Sequence, residues 1–178
     1  MRKLPKAKKQ GGEVAQELEV DHGFTVSLSV YCPDPGSAWP CPVIPLLVNV
    51  IQCPQPAAAR CLALGEAIGR AVRSCPEDLK VAIFGTGGMS HQLAGERAGL
   101  INTSFDKMFL EKIQTDPKGL AALSREDYVR EAGSEGIEMI MWLIMRGAMN
   151  ENITRIAEIY HMPASNTAAA MALFENKA

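Results

Sequence analysis

Leu79-Lys80-Val81-Ala82-Ile83-Phe84-Gly85-Thr86-Gly87-Gly88-Met89-Ser90-His91-Gln92-Leu93 is the stretch on which the reading of this fold turns. Residues 79–84 form a short apolar run, the pattern of a buried strand. Gly85, Gly87 and Gly88 then let the backbone turn sharply and approach a bound group closely, because they carry no Cβ to clash. His91 follows where the strand has just ended. Ligands of open α/β sheets sit at the carboxyl ends of strands, and imidazole is the side chain best suited to move protons near neutral pH. The same residues also describe a plain strand-to-helix turn with a surface histidine, since a glycine-rich turn is a weak signal by itself.

Working outward, 178 residues with 47% apolar and 21% charged side chains match one ordinary globular domain with a real core. A net charge of −2 offers no electrostatic argument for nucleic acid or a membrane surface. The few aromatic residues are not interleaved with a basic patch, which speaks against a nucleic-acid module. Cys32, Cys41, Cys53, Cys61 and Cys75 are odd in number and irregularly spaced, with no Cys-x-x-Cys and no histidine at zinc spacing. No signal peptide is recognisable and no apolar run reaches membrane-spanning length. A cytoplasmic location is expected, with the cysteines acting as small hydrophobes.

Residues 1–17 carry Lys3, Lys6, Lys8 and Lys9 beside Pro5 and Gly11-Gly12, a basic head unable to bury a core. Residues 18–178 are expected to form a single α/β domain. Alternation through Phe24, Val26, Leu28 and Val30 predicts a strand over 24–31. A proline-rich loop holding Trp39 follows. The β-branched run 43–53 predicts a central strand. Helical spacing through Cys61, Leu64, Ile68 and Val72 predicts a helix over 57–74, and with the strand into the glycine loop this gives a right-handed parallel strand–helix–strand unit. Beyond His91, helices are expected over 104–114, from Asp116-Pro117, from Ser124, after a Ser134 cap, and over 150–161. Residues 167–174 read equally as strand or helix.

The segment after Ser134 carries the next chemical signal. From Ile137 to Met145 only Glu138 is polar, so this helix should be buried all round. A buried carboxylate must meet an arginine, accept hydrogen bonds, be protonated, or ligate a metal. Arg146 or Arg130 would supply the commoner solution, an internal ion pair. Each of the three histidines lies at a turn: His22 after Asp21, His91 in the glycine loop, His161 before Met162-Pro163. His161 reads best as a helix C-terminal residue. Ser165-Asn166-Thr167 is a polar cluster suited to holding a substrate or to capping. No Gly-x-Ser-x-Gly elbow supports a serine hydrolase, and no Lys-Ser/Thr follows the glycines as a phosphate loop requires.

Six stretches then occur in one order: Asp21-His22-Gly23, Trp39-Pro40-Cys41, residues 85–92, Gly133-Ser134-Glu135-Gly136-Ile137-Glu138, residues 141–148, and Pro163-Ala164-Ser165-Asn166-Thr167-Ala168. Together they resemble the class III extradiol ring-cleavage dioxygenases, specifically catalytic β subunits of the protocatechuate 4,5-dioxygenase type, from about Val20 to Leu173. The resemblance implies an α/β fold with a mainly parallel sheet flanked by helices, here an incomplete version. It also implies iron(II)-dependent opening of a protocatechuate- or gallate-like catechol with O₂, beside a possible small α subunit and in a possible homo-oligomer. Through it, Glu138 falls on a metal ligand, His91 on the acid–base catalyst, His22 on another pocket histidine, and Ser165 and Asn166 on the segment near the substrate carboxylate.

What the resemblance leaves unmatched is equally informative. The family's two iron-binding histidines belong to an N-terminal region without counterpart here. The chain is therefore expected to be the C-terminal portion of such a dioxygenase, impaired alone. The alternative is a non-catalytic relic or interaction module that retains subunit contacts.

Overall fold

The computed structural model describes residues 22–31, 41–163 and 165–177. The chain divides into two compact units, Met1–Leu47 and Val48–Ala178. The basic head and Trp39 lie outside the described residues.

In the first unit, α1 spans His22–Tyr31, where a strand was expected. Apolar residues at every second position also place Phe24 and Leu28 four apart on one helix face, so the short alternation suits either period. Its serines bond back along the helix, Ser27 Oγ donating to the Gly23 carbonyl at 3.0 Å and Ser29 Oγ to that of Val26 at 2.8 Å.

The second unit holds α2 (Ala58–Ser74), α3 (Thr103–Thr115), α4 (Pro117–Ala121), α5 (Arg125–Ala132), a 3₁₀ turn (Gly136–Met139), α6 (Ile140–Ala148), β1 (Ile153–His161) and β2 (Ala169–Asn176). Three helix starts follow from the sequence. Asn102 caps α3 by accepting from the Phe105 N–H, Asp116 caps α4 with Pro117 in its first turn, and Ser124 forms a capping box with Asp127. That box, with Arg130 beside it, holds the exposed Asp127 carboxyl down at about 2. Ser134 does not cap the following segment; its hydroxyl donates instead to Glu135 Oε2 at 2.7 Å.

The core is built where α2 crosses α6. Gly65, Gly69 and Gly147 bring the two backbones together so closely that a Cβ on Gly65 would lie 2.1 Å from the Ile144 carbonyl oxygen. This close approach rotates α2 from the face its large residues suggest. Cys61, Leu62, Gly65 and Gly69 are buried, while Leu64 and Val72 stay exposed. Phe109, Tyr128 and Trp142 fill the space between α3, α5 and α6 with edge-to-face rings. Tyr128, fully buried, donates its hydroxyl to the Leu120 carbonyl at 2.9 Å, and burial pushes its phenol well above its ordinary pKa.

The expected parallel strand–helix–strand unit is not formed among the described residues. Residues 43–53 and 79–84 run without a ladder, and the sheet there is a single antiparallel pair, β1 with β2. A strand persists only where a neighbour accepts its backbone hydrogen bonds. Leu79 and Val81 are exposed, and only Ile83 of that run packs on the core. The helix expected over 150–161 is β1 instead. Ile153, Ile156 and Tyr160 mimic helical spacing, but β-branched and aromatic side chains favour a pleated surface. The register pairs Ile153 with Asn176 and His161 with Ala169, with an irregularity at Ile156. Residues 169–176 are thus strand, which settles the ambiguity at the C-terminal end.

Candidate functional site

The glycine loop lies directly on the segment that carries Glu138. A Cβ on Gly85 would meet the Trp142 Cα at 2.9 Å, and one on Gly87, whose φ is +115°, would meet the Glu138 Cβ at 2.8 Å. Trp142 Nε1 donates to the Gly87 carbonyl at 3.2 Å, and the Gly88 N–H donates to Glu138 Oε2 at 3.2 Å. Glycine is needed here because backbone, not side chain, makes the contact. Glu138 is half-buried, and its burial is answered by the loop N–H.

This corrects the ion-pair reading of Glu138. Arg146 turns away and donates to the carbonyls of Asn150 and Glu151 at 2.9 and 2.8 Å, with burial lowering its pKa. Arg130 pairs with Asp127 at 2.6 Å and Glu131 at 2.9 Å.

His91 is held more firmly than a surface turn requires. It is 6% exposed. Its N–H donates to the Ala132 carbonyl at 2.7 Å, and its carbonyl accepts from the Gly136 N–H at 3.2 Å. Its ring Nδ1 lies 2.8 Å from the Met89 carbonyl. A carbonyl only accepts, so Nδ1 carries a proton, and in the neutral ring the lone pair is on Nε2. Gly133, at φ +98°, ends α5 beside it; a Cβ there would sit 2.2 Å from the His91 carbonyl oxygen.

The loop is tied to the entry of β2. The Met89 N–H donates to the Ala168 carbonyl at 2.9 Å, the Ala168 N–H to the Ser90 carbonyl at 3.2 Å, and His91 bridges Thr167. Ser165 and Asn166 therefore lie two residues and one residue before this bridge, both exposed. Glu138, His91, Ser165 and Asn166 share one region of the second unit. His22 opens α1 in the first unit.

Two further carboxylates are fixed in this region, Glu135 from the Gly133–Glu138 stretch and Asp106, which carried no motif signal. Glu135 Oε2 accepts from the Leu93 N–H at 3.1 Å. Burial opposes its charge, but the Ser134 hydroxyl, the Leu93 N–H and nearby His91 together hold its pKa below the usual carboxylate value. Asp106 is fully buried and accepts from the Ser90 N–H at 2.8 Å, Ser90 Oγ at 2.7 Å and the Tyr160 hydroxyl at 2.8 Å. Burial raises the Tyr160 pKa, opposed by Thr103 and reinforced by Asp106. Asp106 lies on the buried face of α3 with Phe105, Phe109, Leu110 and Ile113, but Lys107, Glu111, Lys112 and Gln114 make it one polar residue among several in that helix.

The donor set does not fit a complete mononuclear metal centre. Among the described residues no group of three or more His, Cys, Asp or Glu side chains converges, and Glu138 already spends one oxygen on Gly88. No helix is long and apolar enough to cross a membrane among the described residues. Cys41, Cys53, Cys61 and Cys75 are free thiols; Cys61 is buried, and burial pushes its pKa to about 11.

Comparison with known proteins reaches the same region of chemistry. Residues 5–170 match the family described as the catalytic LigB subunit of aromatic ring-opening dioxygenase. A gallate dioxygenase of Pseudomonas putida is 46% identical over 162 residues, covering 91% of this chain and 47% of that protein. A 2,3-dihydroxyphenylpropionate/2,3-dihydroxicinnamic acid 1,2-dioxygenase 1 of Pseudomonas putida is 39% identical over 79 residues, 44% of this chain and 24% of that protein. Its counterpart from Azotobacter vinelandii is 40% identical over the same length. The chain thus spans about half the length of the gallate dioxygenase it matches. With the family matched over nearly all of its residues, this chain belongs to the catalytic LigB subunits of aromatic ring-opening dioxygenases.

Proposed function

We propose that this chain supplies the acid–base half of an extradiol dioxygenase that opens a gallate- or protocatechuate-like catechol with O₂. The observation that carries the reading is His91: buried, fixed by its backbone on both sides, with Nδ1 committed to the Met89 carbonyl. In that state Nε2 can take a proton from a catechol hydroxyl and return it as the ring opens, the task of a general acid–base group. Ser165 and Asn166, beside the Thr167 bridge, are assigned to the substrate's carboxylate on the strength of the family resemblance. His22 is assigned to substrate orientation on the strength of the family resemblance.

Glu138 is proposed as one ligand of an iron(II) centre. Since the described residues do not complete such a centre, the remaining ligands must come from outside them. The chain alone should therefore hold iron poorly. Residues 43–51 and 79–84, β-prone and in part exposed, are the stretches through which a larger, mainly parallel sheet would be completed. Residues 18–178 then form one α/β domain of that larger fold. A homo-oligomer or a small α subunit would cover the same apolar surface. Free thiols suit a reducing cytoplasm. A non-catalytic module that keeps only subunit contacts is the competing reading.

The deciding experiment is co-expression of the chain with a polypeptide covering the remaining length of the gallate dioxygenase. Oxygen uptake is followed with gallate and with protocatechuate. Uptake that requires both polypeptides supports the reading; a stable assembly that loads iron and consumes no O₂ with either catechol supports the non-catalytic one.

A further inference from the structure

We infer that Asp106 is the positioning residue of His91, acting through the single peptide unit that joins Met89 to Ser90. This rests on His91 being the acid–base group proposed above, but its test does not.

The N–H of Ser90 and the carbonyl of Met89 are the two ends of one planar peptide group. Asp106 Oδ1 accepts from that N–H at 2.8 Å. The carbonyl at the other end accepts from His91 Nδ1, also at 2.8 Å. Carboxylate, peptide and imidazole therefore form one hydrogen-bonded chain. A negative acceptor on the N–H polarises the peptide and strengthens its carbonyl as an acceptor, because hydrogen bonds in series reinforce one another in a low-dielectric interior. The consequence lands on the ring: Nδ1 keeps the proton and Nε2 stays free.

The surroundings of Asp106 suit a charged acceptor. It lies in the first turn of α3, where the helix dipole favours a negative group. Its other oxygen accepts from Ser90 Oγ and the Tyr160 hydroxyl. Ser90 Oγ in turn accepts from the Asn102 N–H at 2.7 Å, which locks the serine to the cap of the same helix. Among the described residues no lysine or arginine forms an ion pair with Asp106. Three donors and a helix end hold this carboxylate, and one of those donors leads to His91.

A carboxylate that merely knits α3 to the loop would make the same contacts, so the test reads the ring itself. The full chain is labelled with ¹⁵N and the histidine ring nitrogens are recorded at alkaline pH, where the imidazole is neutral. His91 is assigned by its loss in His91→Gln. The wild type is expected to show the Nδ1–H tautomer. In Asp106→Asn, which keeps the volume and removes the charge, the ratio of Nδ1–H to Nε2–H tautomers should fall roughly five- to tenfold, the equivalent of weakening one hydrogen bond. Tyr160→Phe removes a donor from the other oxygen and should lower stability while leaving the tautomer ratio unchanged. If Asp106→Asn does not fold, the Ser90 amide proton of the wild type decides. It should resonate well downfield of the other loop amides, as a bond to a charged acceptor requires. A wild-type Nε2–H tautomer, an unchanged ratio in folded Asp106→Asn, or an ordinary Ser90 amide shift overturns the inference. None of these readouts involves iron, substrate or turnover, so the dioxygenase reading can fail while this stands, and the reverse.

Discussion

Replacing Gly65 by alanine is expected to destabilise the Val48–Ala178 unit by about 2 kcal/mol or more and to lower its Tm by roughly 10 °C. Helix propensity alone argues the opposite, since alanine is favoured over glycine in a helix interior by about 1 kcal/mol. The packing term wins because the new Cβ would lie 2.1 Å from the Ile144 carbonyl oxygen and 2.9 Å from the Gly147 Cα. Those neighbours are backbone of α6 and cannot rotate away. The two helices would have to separate, loosening the seat of Trp142 and with it the Gly87 carbonyl it holds. Thermal unfolding followed by circular dichroism measures the effect. Arg70→Ala, on the exposed side of α2, serves as the control and should fall within about 0.5 kcal/mol of the wild type. A stabilised Gly65→Ala would mean that α2 and α6 do not cross as described.

The second large effect concerns chemistry. In the assembly of this chain with the rest of the family fold, His91→Gln should lower ring-opening turnover by roughly 10²- to 10⁴-fold, the usual contribution of a positioned acid–base group. Glutamine has similar bulk and can keep a donor toward the Met89 carbonyl, so the loop should remain folded. What it lacks is a nitrogen that can gain and lose a proton near neutral pH. Initial rates of O₂ consumption at saturating catechol, compared with bound iron, separate the two losses. Iron retained with turnover lost supports the assigned role. Unchanged turnover would remove His91 from the chemistry.

Helix starts were legible because their causes are local. Asp116 before Pro117, and Ser124 three residues before Asp127, specify helix N-termini regardless of what packs on them. Strands were not legible, because a strand's cause lies elsewhere in the chain. Residues 79–84 have strand composition but join no ladder among the described residues, while 153–161 became a strand because 169–176 lies beside it. The face of α2 was misjudged because glycines, invisible to hydrophobic periodicity, turn out to be the contact surface with α6. In the site, His91 and Glu138 stood out as polar groups in apolar or glycine-rich settings. The contact that ties the glycine loop to Glu138, from the Gly88 N–H, spans 50 residues and could not be read from spacing. Asp106 was missed because its partners, Ser90 and Tyr160, lie far from it in sequence.

The most direct test of the account is the iron content and O₂ uptake of this chain purified alone and reconstituted anaerobically with iron(II). The account predicts iron well below one per chain and no uptake with gallate or protocatechuate, because the described residues bring no three ligating side chains together around Glu138. Near-stoichiometric iron with sustained uptake would contradict it, and would mean that this chain completes the metal centre with residues of its own.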